Sequence, residues 1–254
     1  MFSGKKGISL ALGSGGAKGL AHIGALKALE ECGLRFCAVA GTSIGSIVGA
    51  LYAKGYSPTD IAELLRRFDL KSMALSVLAA GTVAPVRDAL DSMLDENVFS
   101  ELRLPFAAIA TDADSGEEVV LRSGKVADAV LASSAMPPFF KGIRLDDRLL
   151  CDGAFTNAVP GDVARALGGD FVIGISLSPA ENYACTRFLA RSGKEIECRQ
   201  RGIKSCDFML EPDLSHFSAT DITSAAVMYD IGYECALGRA GELLDALRAH
   251  HIKI

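Results

Sequence analysis

Apolar positions along the chain come in short runs broken by small-residue turns, and the first two runs set the plan. Ile8 to Leu12 is a compact apolar run that meets a glycine-rich turn at Gly13 to Gly19. Leu20, Ile23, Leu26 and Leu29 then recur at helical spacing until Gly33. The pattern repeats at once: Phe36 to Ala40 reads as a buried strand, Gly41 to Gly45 as a tight turn, and Ile47 to Lys54 as a helix closed by Gly55. Two strand-turn-helix units in succession imply a parallel sheet with helices packed on it.

Further along, Thr59 or Asp60 is placed to cap a helix through Phe68, and Ala84 to Leu94 predicts another. The apolar stretch Met73 to Val83 between them has no clear period. Pro105 to Thr111 and Glu118 to Arg122 read as strands around an Asp112 to Gly116 turn, Val126 to Ser133 as a helix, and Arg148 to Cys151 as a strand reaching Asp152. Asp170 to Leu177 is a further buried strand, Asp207 to Leu210 an edge strand, and Asp221 to Ala249 helical with a weak point at Gly232. The expected fold is α/β, three-layered, with a central mostly parallel sheet flanked by helices in one domain spanning residues 1–254.

Composition narrows the partners. With 50% hydrophobic residues the 254-residue chain can bury a substantial core, and 22% charged residues of mixed sign argue against disorder. A net charge of −5 gives no general attraction to nucleic acid, so a polynucleotide partner is not expected. Seven cysteines without a C-x-x-C pair leave one unpaired in any full disulfide scheme, which fits reduced thiols in a cytoplasmic setting. Lys5-Lys6 before Ile8 faintly imitates a secretory leader, but the apolar run stops short of the roughly 7 to 15 residues a leader needs. No uninterrupted apolar stretch approaches the roughly 18 residues of a spanning helix, so membrane contact is expected to be peripheral. Between Tyr183 and Cys206 the chain turns basic, and residues 180–206 read as a mobile insertion. A solvated helix or loop there competes with a basic patch for anionic lipid head groups.

Gly41-Thr42-Ser43-Ile44-Gly45 fits G-x-S-x-G between a predicted strand and a predicted helix, the context of a nucleophile elbow. Glycines suit so crowded a turn, and Ser43 Oγ would emerge at a helix N-terminus whose dipole favours developing negative charge. An ordinary glycine-bounded strand-to-helix turn is the bland alternative. The first turn, Gly13-Ser14-Gly15-Gly16-Ala17-Lys18-Gly19, admits three ligands. A dinucleotide site lacks the acidic residue about twenty positions on, and a phosphate-binding P-loop lacks the G-K-[ST] ending. An oxyanion hole facing Ser43 explains why two glycine turns end neighbouring strands.

A serine hydroxyl needs a proton acceptor. Of four histidines, His22 sits early in a helix where it packs or faces solvent, and His250 and His251 lie in a terminal tail expected to fray. His216, in the turn Asp213-Leu214-Ser215-His216, is the one placed for a Ser-His-Asp esterase. The alternative is a carboxylate acting directly: Asp152-Gly153-Ala154 stands where a buried run ends, though a strand-terminal Asp can equally make an Asx turn.

Taken together, these residues resemble the patatin-like phospholipases, lipid acyl hydrolases with a Ser-Asp dyad. Gly15-Gly16-Ala17-Lys18-Gly19 looks like that family's oxyanion loop, Gly41 to Gly45 like its elbow, and Asp152-Gly153-Ala154 like its D-G-[GA] signature. Ala132-Ser133-Ser134-Ala135-Met136-Pro137 is similar to its segment between elbow and aspartate, and Phe217 to Tyr233 to its C-terminal helix. The resemblance implies Ser43 as nucleophile, Asp152 as base, amides of Gly15, Gly16 and Ala17 around the oxyanion, and Gly13, Lys18, Gly19, Gly41, Gly45 and Gly153 in support. It implies a lipid or other ester as substrate, with phospholipid, lysophospholipid and acylglycerol all open, and neither metal nor other cofactor. The apolar segments Met73 to Val83 and Met136 to Phe140 are candidates for an acyl pocket, with core packing the competing role. A module that binds an acyl chain without turnover remains the competing function.

Overall fold

The alternation of large and small side chains along the strands decides how the layers pack. In the first strand, β1 (Ile8–Leu12), Leu10 and Leu12 enter the large core while Ala11 faces the opposite side of the sheet, where small residues dominate. The computed structural model describes residues 7–67, 83–95, 97–137, 140, 142–179, 187–193, 195–197, 201–221 and 223–252.

Strands β2 (Ala38–Thr42), β3 (Phe106–Asp112), β4 (Glu118–Leu121), β5 (Ile143–Leu145), β6 (Arg148–Asp152), β7 (Phe171–Ile175) and β10 (Phe208–Leu210) join β1 in one eight-stranded sheet. Its order is β10-β7-β1-β2-β3-β6-β5, with β4 also on β3. The pairings from β10 through β3 are parallel, whereas β4, β6 and β5 join antiparallel. Helices α1 (Leu20–Glu31), α2 (Ile44–Lys54), α3 (Pro58–Arg67), α4 (Ala84–Leu94) and α5 (Val126–Ser133) carry the main core over one face with α7 (Ala225–Gly238) and α8 (Ala240–Ala249). The short α6 (Gly161–Ala166) covers the alanine-rich face. The expected three-layer α/β architecture is what the chain forms.

Strand register brings two distant residues together. β4 pairs with residues 108–111 of β3, so β2, on residues 106–109, and β6, on residues 110–112, must share the other edge. Thr42 lies opposite Ile109, and Asp152 opposite the next residue, Ala110. The parallel strand and the antiparallel strand therefore meet tip to tip.

Several expectations need correction. α2 starts at Ile44 rather than Ile47, because Ser43 itself is the residue flanking the first turn. The cap of α3 is Ser57, whose Oγ accepts from the Asp60 N–H at 3.2 Å while Asp60 returns a bond to the Ser57 N–H at 3.1 Å. The C-terminal helix breaks at Arg239, not at Gly232. Gly232 sits where a side chain would run into Ala21 O, 2.0 Å from an added Cβ, so it permits a close crossing of α7 on α1. Within the basic segment, β8 (Arg187–Leu189) and β9 (Glu195–Glu197) form an antiparallel ribbon in place of the expected helix or loop. Arg201 is tied down by Glu118 at 2.7 Å and Asp162 at 2.9 Å. His250 is not frayed: it ends α8 and packs edge-on against Phe171 at 5.1 Å.

Candidate active site

Gly41 and Gly45 face each other across a turn with no room for side chains. A Cβ on Gly41 would lie 2.3 Å from Gly45 O, and one on Gly45 2.2 Å from Leu12 O. The residue between them takes up the strain. Ser43 has φ 56° and ψ −125°, a conformation that costs a non-glycine residue about 1–3 kcal/mol. It is held there by Ser46, whose N–H and hydroxyl both donate to Ser43 O, at 2.8 and 2.6 Å, and by Ser133, whose Oγ accepts from the Ser43 N–H at 2.9 Å.

Ser43 Oγ donates to Asp152 Oδ2 at 2.6 Å. The other carboxylate oxygen accepts the Ala154 N–H at 2.9 Å, and Thr111 donates to Asp152 O at 2.9 Å. Asp152 is 0% exposed, and that burial pushes its carboxyl up to about 6 even though the bonds from Ser43 and Ala154 pull the other way. The tight Asp-Gly-Ala turn follows from Gly153, where a Cβ would meet Ile109 O at 2.2 Å.

The first glycine turn is anchored at both ends. Gly13 N–H donates to Ile175 O and Ser14 N–H to Ala158 O, each at 3.0 Å. His22, 0% exposed on the first turn of α1, lies with Nε2 2.7 Å from Gly13 O. Burial lowers its imidazole to about 4, against the raising effect of that bond. At the far end Ala17 N–H donates to Ala219 O at 2.8 Å, from the loop before α7. Of the three amides expected to hold an oxyanion, Ala17 is thus occupied by the chain itself, whereas among the described residues nothing accepts the Gly15 or Gly16 N–H. Lys18 is half-buried and its ammonium is held below the usual lysine range by burial. Gly19 packs against Ile44, bringing the loop onto the elbow's helix.

Residues 10–165 match the patatin-like phospholipase family. The chain belongs to that family. It is 34% identical over 179 residues to an uncharacterized NTE family protein of Mycobacterium tuberculosis, covering 68% of this chain and 50% of that one. It is also 34% identical over 182 residues to the mouse patatin-like phospholipase domain-containing protein 6, covering 67% of this chain and 13% of that protein. The chain therefore spans half the length or less of these relatives. Two solved structures share the fold: VipD from Legionella pneumophila, with TM-score 0.58 and 15% identity over 97% of this chain and 67% of that one, and ExoU of Pseudomonas aeruginosa in complex with SpcU, with TM-score 0.55 and 19% identity over 96% and 52%.

The patatin-like match contains both glycine turns, Ser133 and Asp152, and ends before Ala219. Ser133 was visible only as part of a resembling hexapeptide, and nothing in the sequence marks Ala219. His216, by contrast, is exposed, and the Ser43 hydroxyl donates its hydrogen bond to Asp152. A cleft of about 420 Å³ opens where β7 and β10 end, lined by Ser176 to Pro179 and Glu211 to Ser215; its Leu177 also backs Gly15. Of the candidate acyl-pocket segments, residues 73–82, 138 and 139 lie outside the described residues, while Val83 and Phe140 pack on the main core. Among the described residues no cluster of His, Cys, Asp and Glu is placed for a metal ion, and no helix is long and apolar enough to cross a membrane.

Proposed function

We propose that the chain hydrolyses carboxylic esters of lipids by acyl transfer through a Ser43-Asp152 dyad. The observation that carries this is the 2.6 Å bond from Ser43 Oγ to a fully buried carboxylate, made by a residue held at positive φ between two glycines. Asp152 takes the hydroxyl proton as Oγ attacks the ester carbonyl, and the Gly15 and Gly16 amides receive the oxyanion. Collapse of the tetrahedral intermediate expels the alcohol, which leaves with the proton from Asp152. Water, with Asp152 again as base, then frees the acid. An aspartate with an ordinary pKa near 3.9 is a weak base for this work; burial that lifts it to about 6 moves it toward the working pH.

The same reading takes the 254 residues as one domain that meets its substrate by peripheral contact with a lipid surface. A cytoplasmic setting is supported by the free thiols of Cys32, Cys37, Cys151, Cys206 and Cys235. The test is hydrolysis of chromogenic esters of increasing acyl length, together with labelling by a serine-directed fluorophosphonate. Ser43→Ala and Asp152→Asn should each lower turnover by about 10³-fold or more, with labelling abolished in the first, while His216→Ala keeps wild-type rates. A folded wild type that neither labels nor turns over would make this a lipid-binding module. Loss of kcat on His216→Ala would replace the dyad with a triad.

A further inference from the structure

His22 is a buried polar group that the proposed mechanism does not use. It is fully buried, its Nδ1 has no partner among the described residues, and an aliphatic side chain would occupy the site without stranding a ring nitrogen. What the ring does make is one bond, to Gly13 O. A carbonyl can only accept, so Nε2 carries the hydrogen and Nδ1 is bare. The neutral tautomer is thereby specified.

The Gly13 carbonyl occupies a critical place. A Cβ on Gly45 would lie 2.7 Å from it, so this oxygen is wedged between the His22 ring on one side and the elbow on the other. The peptide that starts with this carbonyl ends at the Ser14 N–H, which donates to Ala158 O at 3.0 Å. Its plane is thus held from both ends, and the next two amides along the chain are those of Gly15 and Gly16. Release of the carbonyl end would let the peptide rotate and carry those amides away from Ser43.

We propose that His22 is a positioning residue, which ties the glycine loop to the nucleophile elbow through Gly13 O and so keeps the Gly15 and Gly16 amides aimed at the oxyanion. The proposal rests on the acyl-hydrolase reading. His22 touches neither substrate nor reacting atoms and acts through the loop.

Two variants and one spectrum test it. His22→Leu removes the donor, whereas His22→Gln offers an amide N–H at nearly the reach of Nε2. Turnover is measured per active site titrated with the fluorophosphonate, so that unfolded protein does not count. His22→Leu should lower kcat about 10²-fold, the scale of a loop displaced by about an ångström, with KM for a short ester little changed. His22→Gln should recover most of the loss, which a merely space-filling role would not produce. Imidazole nitrogen NMR of the wild type should show the Nε2–H tautomer, and this readout stands whether or not His22→Leu folds. Wild-type kcat per titrated site in His22→Leu, a Gln variant no better than the Leu variant, or an Nδ1–H tautomer would each overturn the proposal alone. A wild type inert toward every ester would overturn it together with the hydrolase reading.

Discussion

The two glycine turns leave neighbouring parallel strands at the same end of the sheet, yet they are held in different ways. The elbow around Ser43 is closed mostly from within: Gly41 and Gly45 touch, and Ser46, three residues on, donates to the strained carbonyl, while Ser133 accepts the Ser43 N–H from farther along the chain. The loop around Gly15 is closed from outside, by His22, Ile175, Ala158 and Ala219, the last more than two hundred residues away in sequence. A serine at strained φ demands short-range rigidity, because any slack would relax it. A cradle of amides can instead be aimed by distant parts of the fold. Local substitutions should therefore damage the elbow more than the loop.

The largest effect is expected from Gly45→Ala. Its Cβ would press on Leu12 O at 2.2 Å, a backbone atom at the end of a strand paired on both sides, which cannot step aside. Urea denaturation should show a loss of about 3 kcal/mol or more, with activity falling in step, the cost of overpacking a rigid core. A smaller loss would mean that the elbow sits less tightly on β1 than the Leu12 contact implies.

Acidity separates the two turns next. Asp152, on the elbow side, has a folded value of about 6 against about 3.9 unfolded, so the native state binds the extra proton and stability falls as pH rises from about 4 to 6. His22, on the loop side, has a folded value of about 4 against about 6.5 unfolded, so stability falls as pH drops from about 6.5 to 4. The slopes oppose each other across most of that interval. Asp152→Asn should be more stable than the wild type by roughly 2–3 kcal/mol above about pH 7 and should lose stability on acidification where the wild type stays nearly flat. Denaturation curves of both proteins at about pH 4.5 and about pH 8 check this, and parallel curves would refute the assignment.

The mildest effect should come from Gly16→Ala. At φ 58°, with Ala219 O 2.4 Å from the added Cβ, the variant pays about 1 kcal/mol for the left-handed conformation and pushes the 217–221 segment outward. Because that segment can yield, calorimetry should show only a small drop in Tm while kcat falls about tenfold, the Ala17 anchor having been lost. A drop in Tm as deep as that of Gly45→Ala would erase the distinction between the turns.

This contrast also governs what the sequence reveals. The elbow was legible because its determinants are contiguous: two glycines, a serine, an apolar run before and a helical run after. Asp152 was legible as an address, the end of a buried run, but an Asx turn fitted equally well. The structure holds both: Oδ1 closes the Asx turn on the Ala154 N–H while Oδ2 accepts from the Ser43 hydroxyl. What brings Ser43 there is the register across β3, where Thr42 faces Ile109 and Asp152 faces Ala110, and register between strands over a hundred residues apart leaves no local trace. The loop's glycines were visible, but not its anchors, since a backbone carbonyl at Ala219 can belong to any side chain. Gly232 misled for a related reason: it looks like a helix breaker, and its smallness serves instead the crossing with α1. The short β5 and the β8-β9 ribbon went unread because three residues are too few to display a period.

The reversed direction of β6 has one more consequence. A residue at the C-terminal tip of a parallel strand arrives at the rim of a sheet, where water waits. β6 enters at that rim, with Leu150 level with Asp112, and travels inward, so its own tip, Asp152, comes to rest two residues beneath it. The heading of the strand thus helps strip away the hydration that keeps an ordinary aspartate at its usual acidity. In this fold the polarity of one short strand tunes the acidity of the group proposed as the base.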